Sequence, residues 1–257
     1  MSDQSRAGER ETIHSRMLAA GDPEETWGWG SPAGQVRASR RAALIAHAAG
    51  LGPGVRTLEI GCGTGLFTLP FARTGAQVVA VEISADLLNR ARSRAELRGV
   101  QFLEGPFERV GVRGPFDAVI GSSVLHHLDL AIALPRIQAL LVPEGIVCFA
   151  EPNMLNPQVF LERHFRQWFS YVSPDETAFV RWPLKRLLEQ AGFREVCITP
   201  FDWLHPATPS RLITRVSRLG RLFERIPGLR EGAGSLLIRC RREGETSSPP
   251  SRTGRGV

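Results

Sequence analysis

The densest chemical signal in the chain is the run Thr57-Leu-Glu-Ile-Gly-Cys-Gly-Thr-Gly65, with Glu82 downstream. Glycines let a ligand approach the backbone closely and tolerate positive φ. The helix expected next directs its first amide N–H groups at whatever binds there. An acid about 20 residues after such a loop can accept hydrogen bonds from both hydroxyls of a ribose. The spacing narrows the ligand. Dinucleotide-binding turns read G-x-G-x-x-G, whereas here Gly61-x-Gly63-x-Gly65 is followed by Leu66 in the sixth place. A nicotinamide-dependent oxidoreductase is therefore disfavoured. His126 and His127 form a second group, since imidazole has an intrinsic pKa suited to a general base.

These residues need a scaffold that gathers them at one edge. Strand-like runs occur at Thr57–Ile60, Gln77–Val81, Val100–Leu103, Phe116–Ile120, Ile146–Ala150, Val196–Thr199 and Ser235–Arg241. Helical patterns lie between them, at Leu66–Arg73, Ala85–Leu97, Leu130–Leu141 and around Pro183–Gln190. A helix over Gln35–Ala49 precedes them, with Val36, Ala43, Leu44 and Ala48 on or near its apolar face. The alternation predicts an α/β fold with right-handed crossovers: a doubly wound, mainly parallel seven-stranded sheet with helices on both faces. Ligands of such sheets bind at the carboxyl edge of the strands, where Gly61–Gly65 and Glu82 fall.

At this point the sequence resembles the class I S-adenosylmethionine-dependent methyltransferases. Their first motif is an acid, an apolar residue and then G-x-G-x-G, as in Glu59-Ile-Gly-Cys-Gly-Thr-Gly65. Phe116-Asp-Ala-Val-Ile-Gly-Ser-Ser-Val-Leu-His-His-Leu128 looks like the family's fourth-strand motif, and Leu141-Val-Pro-Glu-Gly145 looks like its L-x-P-G-G turn. Leu187-Leu-Glu-Gln-Ala-Gly-Phe-Arg-Glu-Val196 looks like its late helix–strand segment. The resemblance covers roughly residues 35 to 200 and implies a Rossmann-like fold. It implies that Glu59 and the backbone of Gly61, Cys62, Gly63 and Gly65 lie near the methionine part of S-adenosyl-L-methionine. Glu82 would hold the ribose and Ile83 would lie against adenine, with Gly121 and Ser122 also on the cofactor side. One departure concerns adenine. Where the family commonly has an acid, this chain reads Gly105-Pro-Phe-Glu108, which leaves Phe107 to stack or Glu108 to substitute.

The resemblance implies an enzyme that transfers a methyl group to a small-molecule acceptor, quinone-like, lipid-like or a secondary metabolite, by O- or C-methylation. A base is needed only if the acceptor must lose a proton. His126 and His127 are the candidates, although relatives with many acceptors carry His here, so the histidines more readily read as shaping the loop or contacting the cofactor. The acceptor side is expected to involve Trp27, Glu151, Asn153, His164 and Tyr171. The competing functions are a non-catalytic S-adenosylmethionine-binding partner protein and a nucleic-acid methyltransferase. The latter lacks its Asn/Asp-Pro-Pro-aromatic motif, for Ser122-Ser-Val-Leu-His126 stands in its place.

Composition sets further bounds. The net charge is +6, but five Arg and two Glu from Arg239 onward carry half of it, which argues against a specific nucleic-acid surface. No apolar run reaches the roughly 18 residues of a membrane span, and the polar N-terminus lacks a secretory signal, so a cytoplasmic location is expected. Cys62, Cys148, Cys197 and Cys240 form no metal-ligand spacing and read as reduced thiols, with no metal site expected. The expected organisation is a leader over 1–33 that can act as a lid and a methyltransferase domain over 34–241. Within that domain lie an insertion or lid at 152–180 and a basic amphipathic helix at 209–226, and 242–257 is a disordered tail. In the helix, Leu212, Val216, Leu219 and Leu222/Phe223 run beside Arg211, Arg215, Arg218, Arg221 and Arg225. Such a helix suits packing on the sheet with its charges solvated, or contact with an anionic membrane surface. Oligomeric state is not legible.

Overall fold

The computed structural model describes residues 21–165 and 177–244. Most of the leader, Tyr171 and the tail beyond residue 244 lie outside them. The seven strands are β1 (Arg56–Ile60), β2 (Gln77–Glu82), β3 (Gln101–Glu104), β4 (Phe116–Ser122), β5 (Leu141–Pro152), β6 (Phe193–Phe201) and β7 (Ser235–Arg242). They form one sheet in the order β3-β2-β1-β4-β5-β7-β6. Only β7 runs antiparallel to its neighbours. The chain reverses direction across the sheet between β1 and β4, and this is where a doubly wound sheet opens a crevice.

Both faces of the sheet are covered, so its central strands are apolar on both sides. On one face Val119, Val147 and Phe149 pack with Leu134 and Ile137 of α5 (Leu130–Leu140) and with Leu184 and Leu188 of α7 (Arg181–Gln190). On the other face Ala118, Ile120, Cys148 and Ala150 meet α2 (Pro32–Ala48), α3 (Thr68–Ala72) and α4 (Ala85–Ser93). The remaining helices are the single turn α1 (Pro23–Thr26), α6 (Pro157–His164) and α8 (Ile213–Phe223). Caps start the long helices: the Ser31 hydroxyl accepts from Gly34 N at 3.0 Å, and Pro32 supplies the fixed φ of a first helical residue. Among the described residues no helix is long and apolar enough to cross a membrane.

Three expectations are corrected. Helix α2 turns Ala38, Arg41, Ala42 and Ile45 inward, as its C-cap Ala49 does, and leaves Val36 and Ala43 exposed. The alanines let the helix lie close to the sheet, and the tight approach brings Arg41 in with them. The helix after the glycine loop is only five residues long and starts at Thr68, so the loop's own turn, closed by Gly65 N to Cys62 O at 2.9 Å, shapes the site. In α8 the expected apolar stripe divides. Val216 and Phe223 face inward, but Leu212, Leu219 and Leu222 are exposed.

The turn inside Leu141-Val-Pro-Glu-Gly145 carries Glu144 at φ +62, a left-handed conformation that side chains resist. The family pattern has glycine at this place. Glu144 is exposed, so only its backbone conformation is at stake. Glu144→Gly is therefore expected to raise stability by about 1 kcal/mol, relief of strain outweighing the entropy of glycine. Calorimetry should show a melting temperature higher by about 2–4 °C, and a lower one contradicts this account of the turn.

Candidate active site

A cleft of about 1230 Å³ opens over the carboxyl ends of β1, β2 and β4. Glu82 ends β2 in its wall. Its two oxygens accept from Gly63 N and Ser84 N, both at 2.9 Å, so one carboxylate ties the glycine loop to the start of α4. Burial raises the Glu82 pKa, and the N–H groups of Ser84, Gly63 and Ile83 draw it back. Ile83 lines the cleft beside it. Phe107 reaches the wall from the core and is only 3% exposed, with Arg136 over its ring at 5.4 Å. Glu108 also lines the cleft.

The three glycines of the loop do different work. Gly61 has φ +70, and a Cβ there would lie 2.5 Å from Val124 Cγ2. The N–H groups of Gly61 and Cys62 are taken by Val81 O. Gly63, at φ +53, faces the cleft with only the Trp27 indole above it. Gly65 does not line the cleft. A Cβ there would meet Leu97 Cδ1 at 2.7 Å, so it serves helix–loop packing. Gly121 is likewise a packing glycine, with Phe149 against it. The Cys62 thiol is pushed well above its ordinary pKa by burial and by Glu59 and Glu82, which makes it an inert wall group.

Glu59 lies beneath the loop rather than in the wall, 1% exposed, and its Oε2 has no hydrogen-bond partner. Burial raises its pKa to about 8, against a lowering by the Thr68 hydroxyl and a further push from Glu82.

Across the cleft stands a residue that the sequence reading passed over. Arg41 is 3% exposed and lines the cleft. Its Nη1 donates to Ser122 Oγ at 3.2 Å, Ser123 Oγ at 2.9 Å and Ala150 O at 3.3 Å, and its Nη2 donates to Ser235 Oγ. Burial and the nearby Arg37 pull its pKa down to about 10, opposed by Asp202 and Glu151, so it remains charged near neutral pH. Every acceptor around it is neutral. Its one sequence signal is the triplet spacing of Arg37, Arg40 and Arg41, which looks like a solvated helix face. Arg37 does pair with Asp202 at 2.8 Å, and Arg40 with Glu224.

His126 and Glu151 form a closed unit. Glu151 Oε2 lies 2.6 Å from His126 Nδ1, while Oε1 accepts from Val124 N and Leu125 N at 2.9 and 2.8 Å. Both side chains are essentially inaccessible, at 1% and 0%. The expectation that Glu151 faces an acceptor is corrected: its oxygens are consumed in bracing the loop after β4. His127 is exposed and lines the cleft, its ring 4.1 Å from that of His126. Asn153 is also an internal brace, donating to Glu231 O and Ala233 O at 2.8 and 2.7 Å. His164 stacks on Phe160 at 3.9 Å away from the cleft wall, and Tyr171 lies outside the described residues.

The cleft is closed on its N-terminal side by Trp27 and Trp29, the latter edge-on to Phe67 at 5.5 Å. Gly28 at φ +74 makes the turn between them, and Gly34 lets that turn sit on the start of α2. Glu24 fastens the segment by accepting from Thr64 Oγ1 at 2.7 Å and from Arg94. Trp203 and Leu204 also line the cleft, on the segment whose Pro206 O accepts from Ser31 Oγ at 2.7 Å. Among the described residues no cluster of His, Cys, Asp and Glu could hold a metal ion.

Residues 58–149 match the family described as a methyltransferase domain. The chain is 34% identical over 166 residues to the ubiquinone biosynthesis O-methyltransferase of Nitrobacter winogradskyi, covering 58% of this chain and 62% of that protein. It thus spans less than two thirds of that relative's length. Among solved structures, a SAM-dependent methyltransferase from Thermotoga maritima superposes with a TM-score of 0.63 at 21% identity, covering 90% of this chain and 100% of that one. The N-methyltransferase NodS from Bradyrhizobium japonicum, in complex with S-adenosyl-L-homocysteine, gives 0.60 at 16% identity, covering 90% and 97%. These two likenesses establish the fold.

The raised pKa of Glu59 has a consequence for stability. The folded protein keeps this proton up to about pH 8, whereas the unfolded chain releases it near 4.5. Stability from this group is thus greatest at acidic pH and declines as pH rises through that window. Glu59→Gln is expected to gain on wild type by roughly a few kcal/mol between about pH 5 and pH 8. Melting curves across that range test it, and parallel curves for the two proteins contradict it.

Proposed function

We propose that this chain, whose residues 58–149 form a methyltransferase domain of the class I kind, transfers a methyl group from S-adenosylmethionine to a small-molecule acceptor. The observation that carries the reading is the Glu82 carboxylate, held in the cleft wall by Gly63 N and Ser84 N at the end of β2. It is the right group in the right place for a ribose, and Gly63 beside it, with no side chain of its own, lines the cleft under the Trp27 indole. The charge on Arg41 fits as well. It lies beside Ser122 at the end of β4 and hydrogen-bonds only neutral groups, with Asp202 and Glu151 acting on it from further off, so it suits the carboxylate of a methionine moiety. Ile83 and the edge of Phe107 then flank the base.

S-adenosylmethionine supplies an electrophilic methyl group on a sulfonium that is its own leaving group. The chain's task is to hold an acceptor in line and to exclude water. Trp27 and Trp29 do the latter from the N-terminal side. If the acceptor is a hydroxyl or an acidic carbon, its proton must be removed, and His127 is the candidate: of the lining imidazoles it is exposed and follows β4, whereas His126 is clamped by Glu151 and His205 lies on the segment beside Trp203. His126 acts through the loop: clamped by Glu151, it positions His127. An acceptor with an aromatic or aliphatic body suits the tryptophans, Val159 and Leu204 around the mouth, and O-methylation of a quinone-like or lipid-like molecule accords with the relative named above.

Calorimetry is expected to show binding of S-adenosylmethionine and S-adenosylhomocysteine and none of NAD. Glu82→Ala should weaken that binding by on the order of 10- to 100-fold, since it removes hydrogen bonds to a charged acceptor. His127→Ala should leave S-adenosylhomocysteine affinity intact and lower kcat by roughly 10²- to 10⁴-fold for a proton-losing acceptor. Binding of NAD in place of the sulfonium cofactor sinks the proposal. Cofactor binding with no transfer to any phenol, quinol or lipid acceptor would favour a non-catalytic binding protein.

A further inference from the structure

Helix α8 is built like a float. Its inner side is fastened to the cleft wall: a Cβ on Gly220 would lie 2.8 Å from Trp203 Cβ, and Phe223 meets the Trp203 ring edge-on at 5.6 Å. Glu224 adds a bond from Asp202 N at 2.9 Å. Its outer flank is apolar and open. Leu219 and Leu222 are 50% and 51% exposed, and Leu212 and Ile226 share that flank at helical spacing. Arg211, Arg215, Arg218, Arg221 and Arg225 lie among and beside them, and none has a carboxylate partner among the described residues. From Ser210 to Phe223 there is no acidic residue. A second exposed apolar group, Leu155, Phe160 and Leu161, belongs to the segment around α6. The two are tied together, because Asn156 Nδ2 donates to Gly232 O at 2.7 Å and Asn153 holds Glu231 O and Ala233 O. Asn156 and Val159 of the one segment, and Trp203, which α8 packs against, line the cleft.

We infer that the outer flank of α8 rests on an anionic lipid surface, with the neighbouring apolar residues of α6 turned to the same surface and the cleft mouth beside it. A polynucleotide would use the arginines but has no use for leucines interleaved with them. A bilayer interface takes both, burying apolar side chains at the acyl boundary and neutralising cations at the headgroups. The acceptor class that follows is an amphipathic molecule dissolved in the membrane, entering the cleft past Trp203 and Val159. This acceptor class rests on the reading of the cleft as a methyl-transfer site, whereas lipid contact itself does not, so vesicle binding is measured without turnover.

The full chain is to be sedimented with vesicles of equal parts phosphatidylcholine and phosphatidylglycerol, and with phosphatidylcholine alone. Binding is expected to the anionic vesicles only, and to fall steeply when salt is raised from about 0.05 to about 0.5 M. Leu219→Ser/Leu222→Ser and Arg215→Gln/Arg218→Gln should each weaken it on the order of tenfold. Both pairs lie on the exposed flank and should keep the wild-type melting temperature and affinity for S-adenosylhomocysteine. Equal binding to neutral vesicles overturns the inference, as does full retention of affinity by either folded variant. Dimerisation lost in these variants, with no vesicle binding by wild type, assigns the flank to a second copy instead.

Discussion

Arg41 places a positive charge among Ser122, Ser123, Ala150 and Ser235, and with it pins helix α2 to the carboxyl ends of β4 and β5 and to the amino end of the antiparallel β7. Burying a guanidinium among neutral acceptors is costly, because hydroxyls and a carbonyl replace only part of the water it loses. The fall of its pKa to about 10 reports that cost, yet the group stays charged. Much follows from it. It fixes how deeply α2 sits, which sets the position of the Trp27–Trp29 turn packed on the start of that helix. It also leaves a cationic wall opposite Glu82. The cleft thus carries a carboxylate at Glu82 and, at Arg41, a cation hydrogen-bonded only to neutral groups, as a ligand carrying a ribose and a carboxylate requires.

Two carboxylates at strand ends show how the same local chemistry yields different roles. Glu82 ends β2 and Glu151 lies at the end of β5, and each gathers two backbone N–H groups of loops beside it. Glu82 stays at the cleft surface, 6% exposed, and keeps acceptor capacity for a ligand. Glu151 has its remaining oxygen on His126 and is sealed off. One carboxylate recognises and the other braces. The brace matters because it fixes the loop from which His127 reaches the cleft and against which Gly61 must lack a side chain.

This pairing also explains what could be read from residues alone. The strands were legible because strand-like runs of four to seven residues recur between helical patterns. The glycine loop was legible because its spacing departs from that of dinucleotide binders. Glu82 followed from its distance along the chain. Glu151, Asn153 and Gly65 were drawn into the site for good local reasons, but whether an acid or amide at a strand end faces ligand or backbone depends on loops far along the chain. Arg41 was missed because an arginine among alanines looks solvated until the sheet beneath the helix is known. For α8 the periodicity gave the stripes correctly, but the side of each stripe was decided by Gly220 against Trp203, a contact of two residues 17 positions apart.

The most direct test of the account is a crystal structure of the chain with S-adenosylhomocysteine. The ribose hydroxyls should lie on Glu82 and the methionine carboxylate on the Arg41 side, with Trp27 over the loop at Gly63 and His127 facing the sulfur across the acceptor space. A nucleoside bound away from Glu82, or a carboxylate held elsewhere while Arg41 keeps only its serines, would contradict it.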